Sequence, residues 1–121
     1  MVKTFKVKID DLTPSQLYLS EKKLKNLTHF NPINNDEFPV KLLNQKMVLT
    51  DGHHRVYLTQ LSGFDDILVY WDEDDMDWSA YELCVTWCED AGVLRISDLR
   101  NRILSDEDYV LLWHEQCAQQ L

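Results

Sequence analysis

The 121-residue chain is poor in residues that break or tether a backbone, with three glycines, three prolines and three cysteines. Such scarcity excludes a collagen-like or low-complexity polymer. No linker, internal repeat or biased tract divides the sequence. The three cysteines predict free thiols in a reducing cytoplasm rather than a disulfide framework. The opening residues, Met1–Lys8, alternate charged and apolar side chains and lack the apolar stretch of a secretion signal. No uninterrupted apolar run approaches the roughly 20 residues that cross a bilayer, so no membrane role is expected. Positive charge is scarce in the second half. Residues 56–121 hold 3 Lys+Arg against 15 Asp+Glu, whereas residues 1–55 hold 9 against 6. A face that neutralises duplex phosphates needs the reverse balance, so DNA is not an expected partner.

What is present suffices for a packed core. The chain is 45% hydrophobic and 11% aromatic, at a length typical of one domain. Phe5, Val7 and Ile9 alternate with Lys6 and Lys8, the pattern of a half-buried strand, and Pro14 interrupts the chain after it. Ser20 is placed to cap a helix over about residues 21–30, with Leu24 and Leu27 on its buried face. A loop over Asn31–Pro39 follows. Val40–Leu43 and Met47–Thr50, split by Asn44-Gln45-Lys46, predict a hairpin. A helix then starts after Gly52 and ends near Gly63, followed by an apolar strand over Ile67–Trp71 and the acidic run 72–77. Ser79 and Glu82 have capping-box spacing for a helix ending before Gly92. Ser97-Asp98 predicts a shorter helix through Ile103, and Ser105 caps a last one. The expected fold is α+β: a small mixed sheet with packed helices over residues 1–75, and an acidic helical extension over 76–121, forming one domain.

One segment carries chemistry. Asp51-Gly52-His53-His54-Arg55 sits where a strand runs through a glycine directly into a helix. The backbone N–H groups of a first helical turn lack intrahelical acceptors, and the positive dipole end adds to them, so such a junction suits an anion. Gly52 admits a ligand close to the backbone. Arg55 can grip a phosphate through two hydrogen bonds. His53, His54 and Asp51 are candidate catalytic groups, the histidines as donors and Asp51 as base or metal partner. Asp51 can also be read as a plain N-cap with both histidines in solvent. Cations in a first turn oppose the helix dipole, however, and that conflict suggests an absent anionic ligand.

The segment and its flanking strands resemble the ParB/sulfiredoxin-like superfamily, whose members bind nucleotide or phosphate at a Gly-x-x-Arg helix start. ParB proteins carry Gly-Glu-Arg-Arg there and sulfiredoxins Gly-Cys-His-Arg. ParB-like free serine kinases carry Asp-Gly-His-His-Arg, as residues 51–55 do here. The likeness spans about residues 5–71 and includes Leu12-Thr13-Pro14, the first helix and the strand Ile67–Trp71. It implies a cytoplasmic nucleotide-binding protein (ATP, ADP or CTP with Mg²⁺). Gly52, His53, His54 and Arg55 would lie on the phosphates, with Lys23 of the first helix beside them, and the activity would be phosphoryl transfer to a small molecule or nucleotide hydrolysis. The kinases place a Glu shortly after the proline corresponding to Pro14, where this chain has Gln16. His53 stands at the position of the sulfiredoxin nucleophile, which removes that chemistry.

Two other readings remain. One is a non-catalytic module that senses a nucleotide while its acidic helices dock a protein partner or a second copy of the chain; the other is a ParB-like nuclease. Cys84 and Cys88, four apart on a helix, read as core residues, and Trp71, Trp78, Trp87 and Trp113 as core or interface anchors. The acidic run 72–77 reads as a solvated loop that a nucleotide-borne metal can still meet.

Overall fold

The computed structural model describes residues 3–27 and 36–120, so the predicted helix end at residues 28–30 and the loop up to residue 35 lie outside it. Strand β1 (Thr4–Lys8) exposes Lys6 and Lys8 and half-buries Phe5 and Val7, before a single 3-10 turn over Ile9–Asp11. A two-residue strand, β2 (Leu19–Ser20), leads into helix α1 (Glu21–Asn26), capped as expected by the Ser20 hydroxyl accepting from the Lys23 N–H at 3.1 Å. No described residue of α1 is fully buried, so Leu24 only partly enters the core.

Strands β3 (Glu37–Leu43) and β4 (Lys46–Leu49) form the hairpin. Asn44 and Gln45 both take positive φ, as the two central residues of a tight primed turn must. β3 starts earlier than predicted and contains Pro39. Pro39 precedes the first residue paired with β4, Val40, so its missing N–H costs no bond in that ladder. Helix α2 (His53–Leu61) then crosses to strand β5 (Asp66–Trp71). The sheet has the order β1-β5-β3-β4, with β3 parallel to β5 and the other two pairings antiparallel. Thr13 bridges to Val48 in parallel on the outer side of β4.

Helix α3 (Trp78–Asp90) starts one residue before the predicted capping Ser79. Asp77 is its N-cap, accepting from the Ala80 N–H. The predicted helix at residues 97–103 is instead a 3-10 stretch over Ile96–Asn101 followed by strand β6 (Ile103–Leu104), which pairs in parallel with β2. The chain continues through α4 (Asp106–Tyr109), capped by Ser105, a π-helical stretch over Val110–His114, and α5 (Glu115–Gln120).

Fully buried Ile9, Leu12, Phe38, Val40, Leu49, Val56, Val69, Ile96 and Leu99 form the centre. Cys84, Cys88, Tyr109 and Trp113 belong to the same buried cluster, so the C-terminal helices share the core of the sheet. Trp71 lies outside the core: it is 45% exposed and packs on Phe5 at 5.3 Å between centroids. No helix among the described residues is long and apolar enough to cross a membrane.

Candidate functional site

The junction between β4 and α2 is fixed from both sides. Thr50 donates its N–H to the Pro39 carbonyl at 3.1 Å and its hydroxyl to Asp72 Oδ2 at 2.9 Å. Asp72 is buried, and its Oδ1 accepts from the Asp74 N–H, so the first residue of the acidic run braces the strand end rather than lying in solvent. Asp51 is exposed and its Oδ1 accepts from the Gly52 N–H at 2.8 Å. Gly52, not Asp51, is the N-cap of α2, and no side chain among the described residues caps the helix. Its φ of +84° is a left-handed conformation, and an added Cβ would stand 2.7 Å from Phe38 Cδ1 and 3.2 Å from Arg55 Nη2. Only glycine fits there. The Val56 N–H closes the first turn on the Gly52 carbonyl at 2.9 Å. The preceding N–H groups, of His53, His54 and Arg55, have no acceptor within the helix.

Both histidines already have a protein partner on Nε2. His53 is 3% exposed, and its Nε2 accepts from the Ser15 N–H at 3.0 Å. His54 Nε2 accepts from the Ser20 N–H at 2.8 Å. Burial, with His54 adding to it, pushes His53 down to about 3; burial and the Lys23 ammonium push His54 down to about 4. Both rings are therefore neutral near pH 7. The tautomer assigned from these bonds keeps the proton on Nδ1. The conflict with the helix dipole therefore rests on one cation, Arg55. The histidines tie α2 to the Pro14 break and to the start of α1, with only Nδ1–H left to offer a ligand.

Arg55 is also not free. Its Nη1 lies 3.3 Å from Asp36 Oδ2 and its guanidinium stacks 4.9 Å from the Phe38 ring centroid. The pair is partly exposed, the kind of contact worth roughly 0–1 kcal/mol. Among the described residues one of its five guanidinium donors is used. The guanidinium still faces a cavity of ≈ 350 Å³ lined by Gln16, Lys23, Asn26, Leu27, Asp51, Gly52, His53, His54 and Arg55. All six residues singled out from the sequence thus border one space. Asp51 is the one carboxylate among its described lining residues.

A second cavity of ≈ 260 Å³ shares Gln16 and His53 with the first and is closed by Ser15, Thr50 and the C-terminal residues Ala80, Tyr81, Cys84 and Trp113. Gln16, which the motif pattern marked only as a departure, stands between the two. Its Nε2 donates to the Tyr18 carbonyl and to the Tyr109 hydroxyl. Asp36 and Tyr109 carry no local signal in the sequence, because their partners lie 19 and 93 residues away. Burial raises the Cys84 thiol to about 11 and Cys88 to about 12, consistent with core residues rather than nucleophiles. Among the described residues, no group of three His, Cys, Asp or Glu could hold a metal ion.

No protein-family model and no curated protein matches the chain. Among solved structures it is similar to the crystal structure of protein Atu1540 from Agrobacterium tumefaciens, at 15% identity and a TM-score of 0.50 over 76% of this chain. The match covers 49% of that chain, so this sequence spans about half its length. At that identity the likeness concerns the fold alone.

Proposed function

We propose that the cavity at the start of α2 binds the phosphates of a nucleotide, as the ParB/sulfiredoxin-like resemblance implies. One observation carries this reading: a nine-residue helix with no side-chain cap among the described residues opens onto a ≈ 350 Å³ cavity flanked by Lys23 and Arg55. An uncapped first turn is an unmet demand for acceptors, and phosphate oxygens meet it with a favourable dipole. Phosphate exchanges the Asp36 contact of Arg55 for a bidentate, more highly charged partner. The neutral rings of His53 and His54 add no charge and supply Nδ1–H donors.

The reaction that fits is phosphoryl transfer or nucleotide hydrolysis, which requires chiefly positioning and charge neutralisation. Mg²⁺ is commonly held by one or two carboxylates together with substrate phosphates, so a nucleotide-borne ion fits the single carboxylate of Asp51. That ion would neutralise charge on the transferred group. Asp51 then either orients it or takes the acceptor's proton. A non-catalytic sensing role is the second reading, favoured by the commitment of both Nε2 atoms and of the Gln16 amide to protein partners. Titration calorimetry with ATP, ADP and CTP in Mg²⁺, comparing wild type with Arg55→Ala, tests the shared premise; equal heats from both proteins overturn it. Product formation on incubation with small hydroxylated metabolites separates catalysis from sensing.

A further inference from the structure

Three lysines lie on α1, and the structure treats one of them differently. Lys22 pairs with Asp106 at 3.7 Å and Lys25 with Glu21 at 2.8 Å. Lys23 has no carboxylate partner among the described residues. Its ammonium stands 5.0 Å from the ring centroid of Tyr109, at the end of α4. An aromatic face holds a cation in place without cancelling its charge. The Tyr109 ring is 2% exposed and touches two further residues of the first cavity. Its hydroxyl accepts from Gln16 Nε2 at 2.9 Å, and His54 meets it edge-on at 6.2 Å. His114 also packs edge-on against this ring at 4.9 Å. His114 is five residues on, a spacing that the π-helical stretch Val110–His114 brings over Tyr109.

We propose that Tyr109 is a positioning residue for the anion cavity: its ring keeps the Lys23 ammonium uncompensated and aimed at phosphate and seals His54, while its hydroxyl fixes Gln16 between the two cavities. The acidic helical extension thereby supports, through Lys23, His54 and Gln16, a cavity lined entirely by the first half of the chain. The proposal rests on reading that cavity as an anion site. Burial raises the Tyr109 hydroxyl to about 12, so it stays protonated and does not neutralise Lys23.

Two substitutions separate the parts. Tyr109→Phe keeps the ring, and Tyr109→Met fills the space without an aromatic face. NMR titration of the ligand-free protein is the first readout. In Tyr109→Met the His54 pKa rises by about one unit toward its ordinary value while His53 stays low; in Tyr109→Phe both stay near wild type. Calorimetry with Mg²⁺–ADP is the second. Tyr109→Met weakens binding about fivefold or more, and Tyr109→Phe by less than about twofold. If Tyr109→Met fails to fold, Lys23→Met at an exposed position decides: the ring remains, the cation goes, and the same His54 rise and affinity loss follow. Unchanged His54 titration in Tyr109→Met overturns the proposal, as does a joint rise of both histidines, which reports general loosening. Wild-type protein that ignores ADP, with the selective His54 shift intact, sinks the anion reading and leaves the positioning of His54 standing.

Discussion

Lowering the pH should destabilise this protein well before its carboxylates titrate. A free histidine has a pKa near 6.5, whereas His53 and His54 in the fold are held down to about 3 and about 4. The unfolded chain therefore takes up protons that the native state refuses. The stability from keeping these rings neutral is complete above about pH 6.5 and is lost as pH falls toward the folded values. Protonation would also put a donor on each Nε2 facing a backbone N–H donor, at Ser15 and at Ser20. Between pH 7.5 and 5.0 a fully buried neutral ring loses about 2 kcal/mol relative to an unfolded ring with pKa 6.5. His53 fits that case. His54 is partly exposed, and screening reduces its share to about 1 kcal/mol. A total near 3 kcal/mol is a large fraction of the roughly 5–15 kcal/mol that holds a domain together. Urea unfolding followed by tryptophan fluorescence at pH 7.5, 6.5, 5.5 and 5.0 measures it. His53→Gln, whose amide oxygen can accept from Ser15, should be less stable at pH 7.5 but lose about 2 kcal/mol less over the same interval. Wild-type stability flat to within about 0.5 kcal/mol, or an equal slope in the variant, refutes the reasoning.

Gly52→Ala combines left-handed strain of about 1–2 kcal/mol with a clash against the buried Phe38 ring, and a total loss near 3 kcal/mol is expected in the same urea assay; less than 1 kcal/mol contradicts it. Asp36→Asn changes stability by under about 1 kcal/mol but frees Arg55, so Mg²⁺–ADP should bind several-fold tighter by calorimetry. Weaker binding would mean that Asp36 holds Arg55 in its useful place. Ser20→Ala removes the cap of α1 at a cost of about 1 kcal/mol, read from denaturant midpoints, and loosens the turn that carries Lys23.

The features legible in the sequence are local ones. The Asn44-Gln45 turn, the Ser20 cap and the strand-glycine-helix junction each depend on neighbours within a few residues, and each stands where the pattern places it. The α+β class follows from those elements. Features set by distant partners were not legible. Ile103–Leu104 continues a helical pattern, yet it becomes a strand because Leu19–Ser20 offers a parallel edge. Pro39 reads as loop punctuation, yet it sits in β3 just before the pairing with β4 begins. At α3 the competition was close: Asp77 captures the helix start two residues ahead of Ser79, whose hydroxyl then bonds to Asp77 instead. In the candidate site, the clustering of residues 51–55 was readable from the motif, whereas the placement of Lys23 beside them was expected only from the family resemblance. The neutral state of the histidines was not, because it comes from burial under Ser15 and Ser20. Nor was the Asp36 contact of Arg55, or the packing of Tyr109 against Lys23 and His54.

The most direct test of the anion site is a structure of the protein crystallised with ADP and Mg²⁺. Phosphate oxygens should lie about 3 Å from the backbone N–H groups of His53–Arg55, with the Arg55 guanidinium turned from Asp36 onto them. A nucleotide seated elsewhere, with Arg55 still on Asp36 and side chains or water alone at the start of α2, contradicts the account.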